Sequence, residues 1–340
     1  QALDQMRTDR SYAEALTALV QGLFLWRLGL TALSPAELVS WGGPFAQPAW
    51  EKECPAAISG LLTQLSAINP SPSELGIALE DFYWRSKTMT ERNQGVYYTR
   101  PLLAGFMARL ALTLYFRERT RPGLSGYRQT DKLWLPASFL LLDPAVGTGA
   151  FLVAALQELV SLPADLRPQE TKCALLPYLA GRDVDAGAIY LTKARLWLEV
   201  VNEVKEGTRS FPALPNIAVG NSLQEPPLLA DIVLANPPYR RQETIEPELK
   251  TFLADRFQGL VPRQADLYAY FLANLAHTLK PGGAAAVVTP TAWLEVDYGR
   301  ALQDLLQQTL EIPLVMGSAC ERWFEEAAVH TVVSTFVRRT

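Results

Sequence analysis

From about residue 91 onward the chain repeats one alternation: a short apolar run bounded by turn residues, then a stretch with helical periodicity. Runs of this kind occupy residues 138–142, 179–184, 216–219, 231–235, 284–289, 312–316 and 331–337, and helical spacing fills residues 186–200 and 267–279 between them. Strands that alternate with helices imply βαβ units, since a parallel pair needs a long crossover and not a tight turn. The expected fold is therefore α/β, a doubly wound and mostly parallel seven-stranded sheet over residues 91–340.

Residues 1–90 read differently. Ser-x-x-Glu recurs there at Ser11/Glu14, Ser34/Glu37 and Ser71/Glu74, and Pro35 and Pro72 directly follow two of the serines. Each string has the form of a helix start, with Ser as the cap, Pro at the first helical position and Glu reaching back. Trp41-Gly42-Gly43-Pro44 and Asn69-Pro70 break the helices. No catalytic motif falls in this stretch, which is expected to be a helical accessory domain.

Composition excludes several function classes. With 31 basic against 35 acidic residues the net charge is −4, and no run of Lys or Arg forms a phosphate-gripping tail. Any nucleic-acid affinity must come from a local cleft or a partner. The three cysteines, Cys54, Cys173 and Cys320, are scattered, which argues against a disulfide framework or zinc site and for a reducing compartment. Two histidines leave little for a His-based metal centre, so no metal is expected. Gln21 and Arg27 interrupt the most apolar early stretch, so neither a membrane span nor a signal peptide is read, and the expected location is cytoplasmic.

Three strings carry chemistry. In the first, Leu142-Asp143-Pro144-Ala145-Val146-Gly147-Thr148-Gly149-Ala150-Phe151, a strand passes through a glycine turn into a helix. Ligands sit at such strand ends in doubly wound sheets, because glycine lets the backbone approach them closely. A nicotinamide-binding turn matches about as well, except that Phe151 stands where its third glycine would be. The second string, Gly181-Arg182-Asp183-Val184-Asp185, ends the next strand on Asp183, a candidate acceptor for ribose hydroxyls; a solvated carboxylate is the competing reading for Asp143 and Asp183 alike. The third is Ala235-Asn236-Pro237-Pro238-Tyr239, in which a strand stops abruptly. Two prolines remove backbone donors, so carbonyls stand as acceptors beside the Asn236 side chain. An amino group would find two acceptors there, and Tyr239 could stack against a base extruded from a duplex. Asn-Pro as an ordinary turn is the plainer alternative.

Gly95-Val96-Tyr97-Tyr98-Thr99-x-Pro101, the Asp-Pro-Ala-x-Gly-Thr-Gly-Ala-Phe-Leu string and Asn-Pro-Pro-Tyr, in that order, resemble the γ-type adenine-N6 methyltransferases of DNA. Within that family the chain is most similar to the catalytic domains of type IIG restriction-modification and phage-exclusion (BREX) enzymes. The likeness continues through Arg240-Arg241-Gln242-Glu243, Ala265-Asp266-Leu267-Tyr268-Ala269-Tyr270-Phe271 and Trp323-Phe324-Glu325-Glu326-Ala327-Ala328-Val329, and so spans residues 91–340. It implies a Rossmann-like methyltransferase domain whose cofactor is S-adenosylmethionine. Tyr98, Thr99, Asp143, Pro144, Ala145, Gly147, Gly149, Phe151 and Asn236 would border the cofactor, Asp183 its ribose, and Asn221 its adenine. Phe324 would join Tyr239 in holding the substrate base. Two positions depart from the family pattern: Arg100 stands at the proline of the Tyr-Thr-Pro signature, and Asn221 stands where an Asp is usual.

The implied reaction moves a methyl group onto the exocyclic nitrogen of a flipped-out adenine in double-stranded DNA, with Asn236, Pro237, Pro238 and Tyr239 as the catalytic string. The Asn236 oxygen and the Pro237 carbonyl would accept the amino hydrogens and stabilise the charge that develops on the nitrogen. An RNA or protein-glutamine amino-methyltransferase, a non-catalytic methyltransferase-like subunit and a nicotinamide oxidoreductase are the alternatives. A target-recognition domain or subunit is expected outside this chain, within a restriction-modification or phage-defence system.

Overall fold

The computed structural model describes residues 12–29, 39–46, 68–86, 99–120, 135–162, 171–207, 209–295, 297–318 and 330–340. Its longer helices are α1 (Tyr12–Leu28), α2 (Pro72–Ser86), α3 (Pro101–Thr120), α4 (Ala150–Ser161), α5 (Ala186–Glu206), α6 (Pro247–Arg256), α7 (Leu267–Thr278) and α8 (Asp297–Thr309). Its strands are β1 (Leu141–Asp143), β2 (Leu179–Asp183), β3 (Ile217–Val219), β4 (Ala230–Ala235), β5 (Leu279–Pro290), β6 (Leu310–Gly317) and β7 (Thr331–Arg338). Contacts divide the chain into two compact units, one of residues 1–86, 170–176 and 190–215, the other of residues 87–169, 177–189 and 216–340. No helix among the described residues is long and apolar enough to cross a membrane.

In the first unit α2 opens as a capping box. Ser71 N donates to Glu74 Oε2 at 2.7 Å, and Glu74 N donates back to Ser71 Oγ at 3.3 Å. This pairing satisfies two donors that the helix start would otherwise leave open. The other two Ser-x-x-Glu strings involve Ser11, Ser34 and Glu37, which lie outside the described residues. Phe24 meets Phe211 edge to face at 5.2 Å, and Trp197 Nε1 donates to the Pro212 carbonyl at 3.0 Å.

The second unit is built on a seven-stranded sheet of order β3-β2-β1-β4-β5-β7-β6. Every pair from β3 to β5 is parallel, and β7 runs antiparallel to both β5 and β6. The period-two alternation of a strand decides which face each residue serves. Leu142, Val233, Ala235, Ala285 and Val287 share one core cluster with residues of α7 and α8. Leu141, Ile232, Leu234, Ala284 and Ala286 have the opposite parity and are just as buried. Helices α3 and α4 supply contacts to β1, β4 and β5. With both faces covered, the strands read as continuous apolar runs.

All seven runs found in the sequence became strands, with shifted ends where side chains or bulges intervene. The run 138–142 starts pairing only at Leu141, because Asp231 Oδ2 takes the Leu140 N–H at 3.0 Å and Lys280 Nζ takes the Ser138 carbonyl. β5 begins earlier than expected, since Lys280-Pro281-Gly282-Gly283 forms a bulge inside the strand: Ala230 pairs with Leu279, but Ile232 pairs with Ala284.

Candidate active site

The chain lays down β1, β2 and β3 outward in one direction and then returns to place β4 on the other side of β1. The strand order reverses between β1 and β4, and in such sheets the crevice at the carboxyl ends of the two strands holds the ligand. Leu142 pairs with Val233, so Asp143 and Asn236 leave neighbouring parallel strands within a few residues of the same level. Adjacent strands lie about 4.8 Å apart. The glycine turn and the Asn-Pro-Pro-Tyr segment therefore flank one crevice.

After Asp143 the backbone turns with Gly147 at φ 50° and Gly149 at φ 84°, values that disfavour side-chain-bearing residues. Gly149 caps α4, so the first N–H groups of that helix head the turn. Asp143 is 1% exposed; its Oδ1 accepts the Ala145 N–H at 3.1 Å, and its Oδ2 is buried without a hydrogen-bond partner among the described residues. Burial pushes the Asp143 carboxyl well above the usual carboxylate range, and the negative charge of Asp183 adds to the shift. Asp183, at the end of β2, accepts from Gly147 N and Asp185 N, both at 2.9 Å. It thus binds the turn to the neighbouring strand end. Phe151 is buried in the first turn of α4.

An acid held in this way costs stability, and the sign can be worked out. The folded-state pKa of Asp143 lies above the ordinary value of 3.8, so the folded chain holds the proton more tightly than the unfolded chain. Stability therefore falls as pH rises through the window above 3.8, with the full cost reached once the folded carboxyl has ionised. Asp143→Asn should raise the melting temperature of the unliganded chain at pH 7.5 by a few degrees, and the gain should vanish near pH 4. Thermal denaturation across that range is the check; a gain independent of pH would contradict the assigned cause.

At the end of β4 the two prolines leave Pro237 and Pro238 without N–H groups, and no backbone donor among the described residues reaches the Pro237 carbonyl. Asn236 Nδ2 donates to Thr99 Oγ1 at 3.1 Å, so its oxygen forms the opposite end of the amide. The segment is fastened beyond the prolines. Tyr239 OH donates to the Val288 carbonyl at 3.3 Å, its ring meets Tyr268 edge to face, and it is 8% exposed. Leu267 N donates to the Arg240 carbonyl and Gln242 N to Asp266 Oδ1, each at 2.9 Å. Asp266 had entered only as part of a resemblance, and its place as the N-cap of α7 was the one signal available for it.

Asp183 is joined to Gly147 and Thr99 to Asn236, and the two groups stand at the ends of neighbouring strands. Asn221 Oδ1 accepts the Leu223 N–H at 3.0 Å and its Nδ2 donates to Gln224 Oε1 at 2.9 Å, bonds that close the turn after β3. Tyr98 and Phe324, with the rest of the Gly-Val-Tyr-Tyr and Trp-Phe-Glu-Glu strings, lie outside the described residues.

Residues 230–315 match the Eco57I restriction-modification methylase family. The chain is 24% identical over 238 residues to the type II methyltransferase M.BstVI of Geobacillus stearothermophilus, a stretch taking in 66% of this chain and 38% of that protein. It is 29% identical over 196 residues to M.PaeR7I of Pseudomonas aeruginosa, covering 56% of this chain and 33% of the relative. The chain thus spans well under half the length of these relatives. Among solved structures, a class I S-adenosylmethionine-dependent methyltransferase from Listeria monocytogenes superposes with a TM-score of 0.60 at 16% identity, over all of this chain and 86% of that one. The type IIG restriction endonuclease BpuSI gives a TM-score of 0.64 at 16% identity, over 99% of this chain and 38% of that one. The fold is that of the class I methyltransferases.

Proposed function

We propose that this chain is the catalytic module of a DNA methyltransferase that uses S-adenosylmethionine to methylate the exocyclic nitrogen of adenine, in a restriction-modification or phage-defence system. The observation that carries the reading is the placement of Asn236-Pro237-Pro238-Tyr239 opposite the Asp143 glycine turn across the β1/β4 crevice. The relatives M.BstVI and M.PaeR7I, both type II methyltransferases, support it.

The residues present fit the cofactor. A buried carboxylate with one unpartnered oxygen is costly by itself and is relieved by a positively charged or N–H-bearing ligand, which the methionine portion of S-adenosylmethionine is. Asp143, Pro144, Ala145, Gly147 and Gly149 would border that portion, and Asp183 would take the ribose. When bound, the cofactor supplies an electrophilic methyl on a sulfonium.

The protein's own part is to prepare the nucleophile. An adenine amino group is weakly nucleophilic because its lone pair is delocalised into the ring. Asn236 Oδ1 and the Pro237 carbonyl accept its two hydrogens, drawing the nitrogen toward tetrahedral geometry and stabilising the positive charge that develops there. Fixed orientation contributes much of the remaining acceleration. Tyr239 contributes a wall held by its hydroxyl, and by the resemblance Phe324 would help to hold the base. Double-stranded DNA is the substrate, and recognition of a target sequence belongs to a domain or subunit beyond these residues, in keeping with the greater length of the relatives and the net charge of −4.

The test supplies methyl-tritiated cofactor to the chain with DNA, RNA and protein as substrates. Label is expected in DNA and, after hydrolysis, in N6-methyladenine. Label in cytosine, RNA or glutamine instead would overturn the assignment.

A further inference from the structure

We propose that Thr99 is a positioning residue for Asn236: its hydroxyl takes the amide nitrogen and thereby keeps the amide oxygen turned toward the substrate, an inference that rests on the role given to Asn236 above. The resemblance implied a different part for Thr99, that of bordering the cofactor.

A primary amide has two ends of nearly equal size, and half a turn about its last bond exchanges an acceptor for a donor. Toward an amino group only the acceptor is useful, since a donor there would confront the substrate's own hydrogens. The nitrogen end therefore needs a polar partner of its own, away from the substrate. Pro237 and Pro238 lack the N–H groups that could pin the amide oxygen, and the strand ladder ends at Ala235, so the orientation has to be held from the nitrogen end. The partner comes from 137 residues away: Thr99 Oγ1 lies 3.1 Å from Asn236 Nδ2, and Thr99 is itself buried. Helix α3 starts two residues later at Pro101 and packs along β4 and β5, so the position of the hydroxyl is set by the same sheet that carries Asn236. A buried hydrogen bond whose loss leaves a polar group stranded is a sufficient device to hold one of two amide orientations.

Three variants and three readouts separate this role from cofactor binding. In Thr99→Val, which keeps the shape and removes the hydroxyl, kcat on DNA should fall about 10- to 100-fold, while the dissociation constant for S-adenosylmethionine stays within about twofold. Thr99→Ser should restore most of the loss. Independently of activity, the side-chain amide resonance of Asn236 in the unliganded chain, assigned by its disappearance in Asn236→Asp, should move in Thr99→Val and return in Thr99→Ser. A Thr99→Val chain with weakened cofactor binding and undiminished kcat would overturn the proposal, as would an Asn236 resonance that does not move. If the unsubstituted chain transfers no methyl, the resonance still decides the matter for Thr99, and the failure falls on the proposed function alone.

Discussion

Asn236→Ala is expected to lower the single-turnover rate of methyl transfer by about 10³-fold, the scale on which removal of one preorganised polar group at a developing charge is felt. The substitution removes the side-chain acceptor and leaves only the Pro237 carbonyl to draw on the amino group. It also frees Thr99 Oγ1 of its donor, which costs little because a hydroxyl can find another partner. Asn236 lies at the end of β4, and Asp143, Gly147 and Gly149 approach the crevice from β1, so the affinity for S-adenosylmethionine should change by no more than about threefold. The loss should therefore appear in kcat, with the substrate KM little altered, which is the pattern of an interaction made chiefly in the transition state. Rapid-quench measurement of N6-methyladenine formation, paired with calorimetric titration of the cofactor, tests both halves. A rate within tenfold of the unsubstituted chain would remove Asn236 from the catalytic role.

The sequence exposed those parts of the fold whose physics is local. Short apolar runs closed by turn residues mark the strands of a sheet covered on both faces, so β1 to β7 could be read from their own composition. The glycine turn after Asp143 could be read because positive φ at Gly147 and Gly149 is a backbone requirement stated by residue type. Strand ends were less legible, because they depend on partners far away in the chain: the start of β1 is set by Asp231, and the bulge at Lys280-Pro281-Gly282-Gly283 shows only when β4 is laid beside it. Side-chain roles were hidden for the same reason. Nothing near Thr99 in sequence announces a bond to Asn236, and nothing near Asn221 reveals that Gln224 and Leu223 already engage both ends of its amide. Tyr239 shows a related conflict. An aromatic after Asn-Pro-Pro suggests a stacking face, whereas the structure engages its hydroxyl at the Val288 carbonyl and leaves it 8% exposed, a fastening that the residue type does not announce.

The stability of the sheet around this crevice should depend most on Asp231, an acid at the start of β4 that the apolar run after it overshadows. It is 3% exposed and joins three elements to its own strand: Oδ2 accepts from Leu140 N at 3.0 Å and from Lys280 Nζ at 2.6 Å, while Oδ1 accepts from Tyr115 OH at 3.3 Å. Asp231→Ala would strand the Leu140 N–H and leave the partly exposed Lys280 ammonium facing the Ser138 carbonyl alone, a loss of about 2–3 kcal/mol, most of it the cost of the unsatisfied buried donor. Asp231→Asn should cost much less. An amide can present its oxygen to Leu140 and Lys280 and its nitrogen to the Tyr115 hydroxyl, which accepts as readily as it donates, so only the charge is given up. Urea denaturation of the two variants should show this order, and hydrogen exchange at the Leu140 amide should quicken in the alanine variant far more than in the asparagine variant. Equal losses in both would mean that charge, and not the arrangement of acceptors, is what Asp231 contributes to the junction of β1, β4 and β5.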